Sequence, residues 1–80
     1  MGTKSEPGRY DCYAMAEPDE PMFILLGRDV AAPAIIREWV ARRIKAGNLS
    51  TLQGNEAIAT AKAMEEWRAR RRDDLSPLDD

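Results

Sequence analysis

The spacing of apolar and polar residues changes period along the chain. Tyr10-Asp11-Cys12-Tyr13-Ala14-Met15-Ala16 sets Tyr10, Cys12, Ala14 and Ala16 on one side and Asp11, Tyr13 and Met15 on the other. That alternation predicts a strand over about 10–16. Glu17-Pro18-Asp19-Glu20-Pro21 predicts a turn, because its two prolines fix φ and withdraw backbone donors. Met22 to Gly27 then predicts a second strand, and the two are expected to pair as an antiparallel hairpin. In this second strand Met22, Ile24 and Leu26 face one way and Phe23 and Leu25 the other, and both sets are apolar. A two-stranded ribbon with helices on one side leaves one set in water. Either the strand is central, or its second face meets another copy of the chain; Phe23 and Leu25, with Tyr10, are expected at that interface, and Ile24 and Leu26 in the core.

Beyond Gly27 the period lengthens. Gly27-Arg28-Asp29 ends the strand, Asp29 can accept backbone hydrogen bonds as the chain turns, and Pro33 suits the first turn of a helix, where its missing N–H has no acceptor to lose. Ile35, Ile36, Trp39, Val40 and Ile44 form a stripe that predicts a helix over about 33–46, with Glu38 and Arg42 as an i,i+4 pair and Gly47-Asn48 as its stop. Ser50 with Gln53 reads as a capping box, and Ala57, Ile58, Ala61, Met64 and Trp67 carry a second helix over about 53–72. The expected core is Ile24, Leu26, Ile36, Trp39, Val40, Ile58, Met64 and Trp67. The sequence thus predicts an α+β fold: an N-terminal β-hairpin followed by an antiparallel helix pair, in one domain over 9–72. Residues 1–8 are expected to be disordered and 73–80 to form a flexible acidic tail.

Composition narrows the possible chemistry. Eighty residues bury a small fraction of their surface, so a chain of this length calls for a staple or a partner, and a homo-oligomer is the expected solution. One cysteine, Cys12, and no histidine leave no internal disulfide, no imidazole base and no zinc-ligand spacing; no metal, no cofactor and no enzymatic activity are expected. No apolar run approaches a membrane span, and the chain is expected in the cytoplasm without membrane contact. The net charge of −2 is unevenly spread: −3 over residues 1–29, +5 over 30–72 and −4 over 73–80. Acidic flanks around a basic helical part argue against non-specific duplex binding but leave room for a local anion site, and no sequence-specific nucleic-acid partner is expected.

The short connection between the helices makes them antiparallel, which brings Arg68, Arg70, Arg71 and Arg72 beside Arg28, Asp29 and the amides around Pro33. A helix N-terminus flanked by arginines is a seat for phosphate. Arg28, Arg68 and Arg71 are the candidate phosphate ligands, Asp29 would orient an arginine or a ribose hydroxyl, and Tyr13 would stack on a base. The competing reading is that these arginines complement the C-terminal dipole of the second helix and pair with Asp29, Asp73 and Asp74. Trp39 and Trp67 read as core aromatics rather than stacking platforms.

Asp-Glu-Pro-Met-Phe-Ile-Leu-Leu-Gly-Arg-Asp, followed by Ala-Pro-Ala-Ile-Ile-Arg-Glu-Trp and later by Ala-Met-Glu-Glu-Trp-Arg, resembles small proteins encoded in phages and prophages of proteobacteria. The likeness spans about Tyr10 to Arg68 and carries no established activity, so it assigns no site residue. What it implies is an accessory protein that acts on the infected cell by binding, either blocking a defence enzyme or soaking up its nucleotide signal. The expected function is sequestration of a small phosphorylated, nucleotide-type immune signal. The alternative is a protein-binding inhibitor of a host defence complex, such as a CRISPR effector, acting through Glu17, Asp19, Glu20 and the aspartate-rich tail.

Overall fold

The computed structural model describes residues 1–71, and these contain three helices and no strand: α1 (Cys12–Met15), α2 (Ala32–Lys45) and α3 (Thr51–Arg71). The β-hairpin expected over 10–16 and 22–27 is absent, so the α+β assignment is corrected to an all-helical one. The segment Tyr10–Ala16 contains two alanines and a methionine and no β-branched residue, so it has little to gain from a pleated surface. Asp11 decides the outcome by capping: its Oδ1 accepts from the amides of Tyr13 at 3.2 Å and Ala14 at 3.4 Å, and α1 forms a single turn. Met22–Leu26 then has no strand to pair with and runs without regular structure, and an isolated two-stranded ribbon would be marginal in any case.

The helical hairpin forms for local reasons that the sequence does show. Asp29 accepts from the Ala31 amide at 2.9 Å through its side chain and from the Ala32 amide at 3.1 Å through its carbonyl, so the chain is turned before α2 begins. At the other end Gly47 takes φ +75°, its amide bonds to Ile44 and the Asn48 amide to Arg43, which closes α2 with a Schellman motif. Arg43 adds two bonds to Asn48, at 2.7 Å to the side chain and 2.8 Å to the carbonyl. Ser50 Oγ accepts from Gln53 at 3.1 Å and starts α3. With a five-residue connection between them, α2 and α3 pack side by side.

Their interface is made of small residues. Ala32, Ala57 and Ala61 are wholly buried and Val40 nearly so, while no large side chain is fully buried. Of the residues expected in the core, Val40 is buried, Ile36, Trp39, Met64 and Trp67 are half-buried, and Ile24, Leu26 and Ile58 are exposed. Alanine lets the helix backbones approach closely, which leaves the larger side chains to flank the seam rather than fill it. A bidentate bond from Arg37 to Glu65, at 2.6 and 2.8 Å, ties the helices together on one flank.

Candidate functional site

On the other flank, residues before α2 run along α3. Glu56, in the second turn of α3, is the fastening point. Its two carboxylate oxygens accept from the backbone amides of Arg9 and Tyr10, each at 2.9 Å, and the N-terminal ammonium lies 3.5 Å away. The Tyr10 amide, then the Arg9 amide and the ammonium charge, hold this carboxyl below its ordinary range, and together they outweigh the opposing effect of burial. The ammonium also donates to the Tyr10 carbonyl. Gly8, at φ +81°, makes the approach possible: a Cβ there would meet the Met1 carbonyl oxygen at 2.3 Å and Glu56 Oε2 at 3.0 Å.

Farther along α3 the segment touches again. Gly27 lies against Met64 and Trp67, and Arg68 Nη1 donates to the Arg28 carbonyl at 2.5 Å. Between these two fastenings lies a groove of about 590 Å³, floored by Leu25, Leu26, Ala63, Met64 and Trp67 and bordered by Lys4, Arg28 and Arg70. Its lining holds a single acid, Glu56, and that carboxylate is already committed to the backbone of residues 9 and 10. Among the described residues no carboxylate forms an ion pair with Lys4, Arg28 or Arg70.

The sequence-derived corner is therefore partly assembled. Arg28 and Arg68 meet, but through a backbone carbonyl, so the Arg68 guanidinium supports the turn as well as lining a second, shallower groove. Arg71 lies over the Trp67 ring at 5.2 Å from its centroid. Asp29 spends its side chain on the Ala31 amide. Tyr13 is 74% exposed on α1 and lines neither groove. Phe23 is 87% exposed, and Leu25 and Tyr10 are half-buried within the chain. Arg72 and the acidic tail lie outside the described residues.

No family model, curated protein or solved structure matches the chain. Its chemistry is read from the groove itself. Three cationic side chains around an apolar, aromatic floor suit a ligand with an anionic end and a flat or apolar body. The one carboxylate in the lining, Glu56, has both oxygens bonded to the backbone amides of residues 9 and 10, and the described residues contain no group of acids, cysteines or histidines able to hold a metal ion. No helix among them is long and apolar enough to cross a membrane.

Sequence reasoning passed over Glu56 and Lys4. Glu56 is an acid near the N-terminal end of a helix, which ordinarily signifies only a favourable dipole interaction. Gly8, the nearby residue whose left-handed conformation permits the contact, was the available signal.

Proposed function

We propose that the protein is a non-catalytic binding protein that captures a small phosphorylated, nucleotide-type ligand. The observation that carries this reading is the conjunction of Lys4, Arg28 and Arg70 around the Leu25, Met64 and Trp67 floor, with the groove's single acid already engaged. In this arrangement Arg28 and Arg70 hold phosphate, Lys4 adds charge from the N-terminal segment, and Trp67 rather than Tyr13 offers the aromatic surface. Arg71 steadies Trp67 from above and Arg68 fixes the turn that carries Arg28. The likeness to phage-encoded proteins gives such capture a setting, the cytoplasm of an infected cell, where the ligand is a host immune signal removed from circulation.

Calorimetric titration with cyclic dinucleotides, ADP-ribose and inorganic phosphate tests this. A nucleotide should bind, and Arg28→Ala or Arg70→Ala should each weaken it roughly 10- to 100-fold, the loss of one charge-assisted phosphate contact. Tyr13→Ala should leave the affinity unchanged. Absence of binding to every member of the panel would overturn the proposal.

A second reading has its own observation: Tyr13, Met15, Phe23 and Ile24 stand exposed on either side of the acidic turn that holds Glu17, Asp19 and Glu20. Apolar side chains around an acidic centre suit a protein partner with a basic contact surface. That reading requires the turn and tolerates loss of Arg28 and Arg70, so Glu17, Asp19 and Glu20 replaced together by Ser separate the two.

A further inference from the structure

The N-terminal segment covers one flank of the helical hairpin and leaves the other open. Glu65 and Ala69 stand two residues from Ala63 and Trp67, a rotation of about 200° on a helix, so they leave α3 on the side away from the groove. On this open flank Val30, Arg37 and Ile44 recur every seven residues through α2 and its entry turn, and Ile58 and Glu65 repeat the interval on α3. Seven residues make two turns, so each set lies in one row. Arg37 is bonded to Glu65, and one step of seven toward the inter-helix turn on both helices sets Ile44 beside Ile58. Val30 is 73%, Ile44 62% and Ile58 41% exposed, and Pro33, Ala34 and Ala69 line a shallow groove of about 390 Å³ between Val30 and the ion pair.

We infer that this row is a self-association surface: a second copy of the chain packs on it, flank to flank about a two-fold axis, and completes a four-helix bundle. Three observations choose a second copy over another occupant. The first is stability. The hairpin alone buries Ala32, Pro33, Val40, Ala57 and Ala61 and no large side chain, whereas small domains need a staple. A lone exposed Cys12 gives no internal disulfide and the described residues hold no metal cluster, which leaves a subunit as the staple. The second is charge. The row's one cation and one anion are already paired with each other within the chain, so the face is neutral and a second copy of it meets no like charge across the two-fold. The third is spacing, because seven-residue rows on both helices are the geometry of bundle packing. The surface is separate from the anion groove and from Phe23, so its test is independent of the proposed function.

Sedimentation velocity of the full chain over micromolar concentrations should show a dimer or a higher even assembly. Ile44→Glu with Ile58→Glu should yield monomers that keep their far-UV helical signal, while Phe23→Glu keeps the wild-type mass. Should the double variant unfold, crosslinking decides: in a Cys12→Ser background a short bis-maleimide should join chains through Ile58→Cys and not through Glu38→Cys on the outer face of α2. A monomeric wild type, a double variant that stays folded and assembled, or equal crosslinking at the two positions would overturn the inference.

Discussion

The helical hairpin and the segment that lies along it are held by different means. The hairpin is specified by neighbours in sequence: Asp29 turns the chain into α2, Gly47 closes it, Ser50 opens α3, and alanines at 32, 57 and 61 let the two helices meet. The segment before it is placed by distant partners, Glu56 for residues 9 and 10 and Arg68 for residue 28, with little apolar burial of its own. Elements with few buried contacts and solvent-exposed hydrogen bonds open at low free energy. The hairpin is the scaffold, and the segment that supplies Lys4 and Arg28 to the groove is the part that can move.

The contrast is broken most severely at the alanine seam. Ala61→Leu adds volume where the side chain is wholly buried, and it should destabilise the chain by about 1–3 kcal/mol, the usual effect of overpacking. Urea unfolding of the variant should show the lowered midpoint. The same change at Ala59, exposed on α3, should leave the midpoint near wild type. Equal effects at the two positions would mean that the helices do not meet at Ala61.

Next in size is the turn. Gly47 has open space around it, so Gly47→Ala meets no clash and is penalised by its φ of +75° alone, about 1–2 kcal/mol. The loss should appear in thermal unfolding with no change in assembly or ligand affinity. A neutral result would show that the Schellman ending is not required.

What was readable in the sequence follows the same division. Both helices and their caps are legible because each depends on residues within a few positions of one another, and the short turn between the helices carries the return that brings Arg68 toward Arg28. The N-terminal half was misread because alternation over seven residues is weak when half of the positions are small or polar. Asp11 gave the backbone a local alternative that the alternation did not weigh. The apolar run Met22–Leu26 reads as a strand and is not one, since a run of five cannot distinguish pairing from exposure. The groove depends on Glu56 meeting residues 9 and 10 across more than forty positions, a contact that no local pattern encodes.

The smallest perturbation bears most directly on that contact. Glu56→Gln keeps the shape of the side chain and removes the charge, so the helices should persist while the Arg9 and Tyr10 amides lose protection from hydrogen exchange. Docking of the segment should follow the same carboxylate in solution. Because its folded pKa lies below that of the released chain, docking is strongest above the ordinary glutamate range and is lost as pH falls through the lower, folded value. The Arg9 and Tyr10 amide shifts should therefore titrate together in wild type with a midpoint below the ordinary glutamate range, and show no such step in Glu56→Gln. A common midpoint at the ordinary value would mean that Glu56 does not hold the segment, and Lys4 would then have no fixed place at the groove.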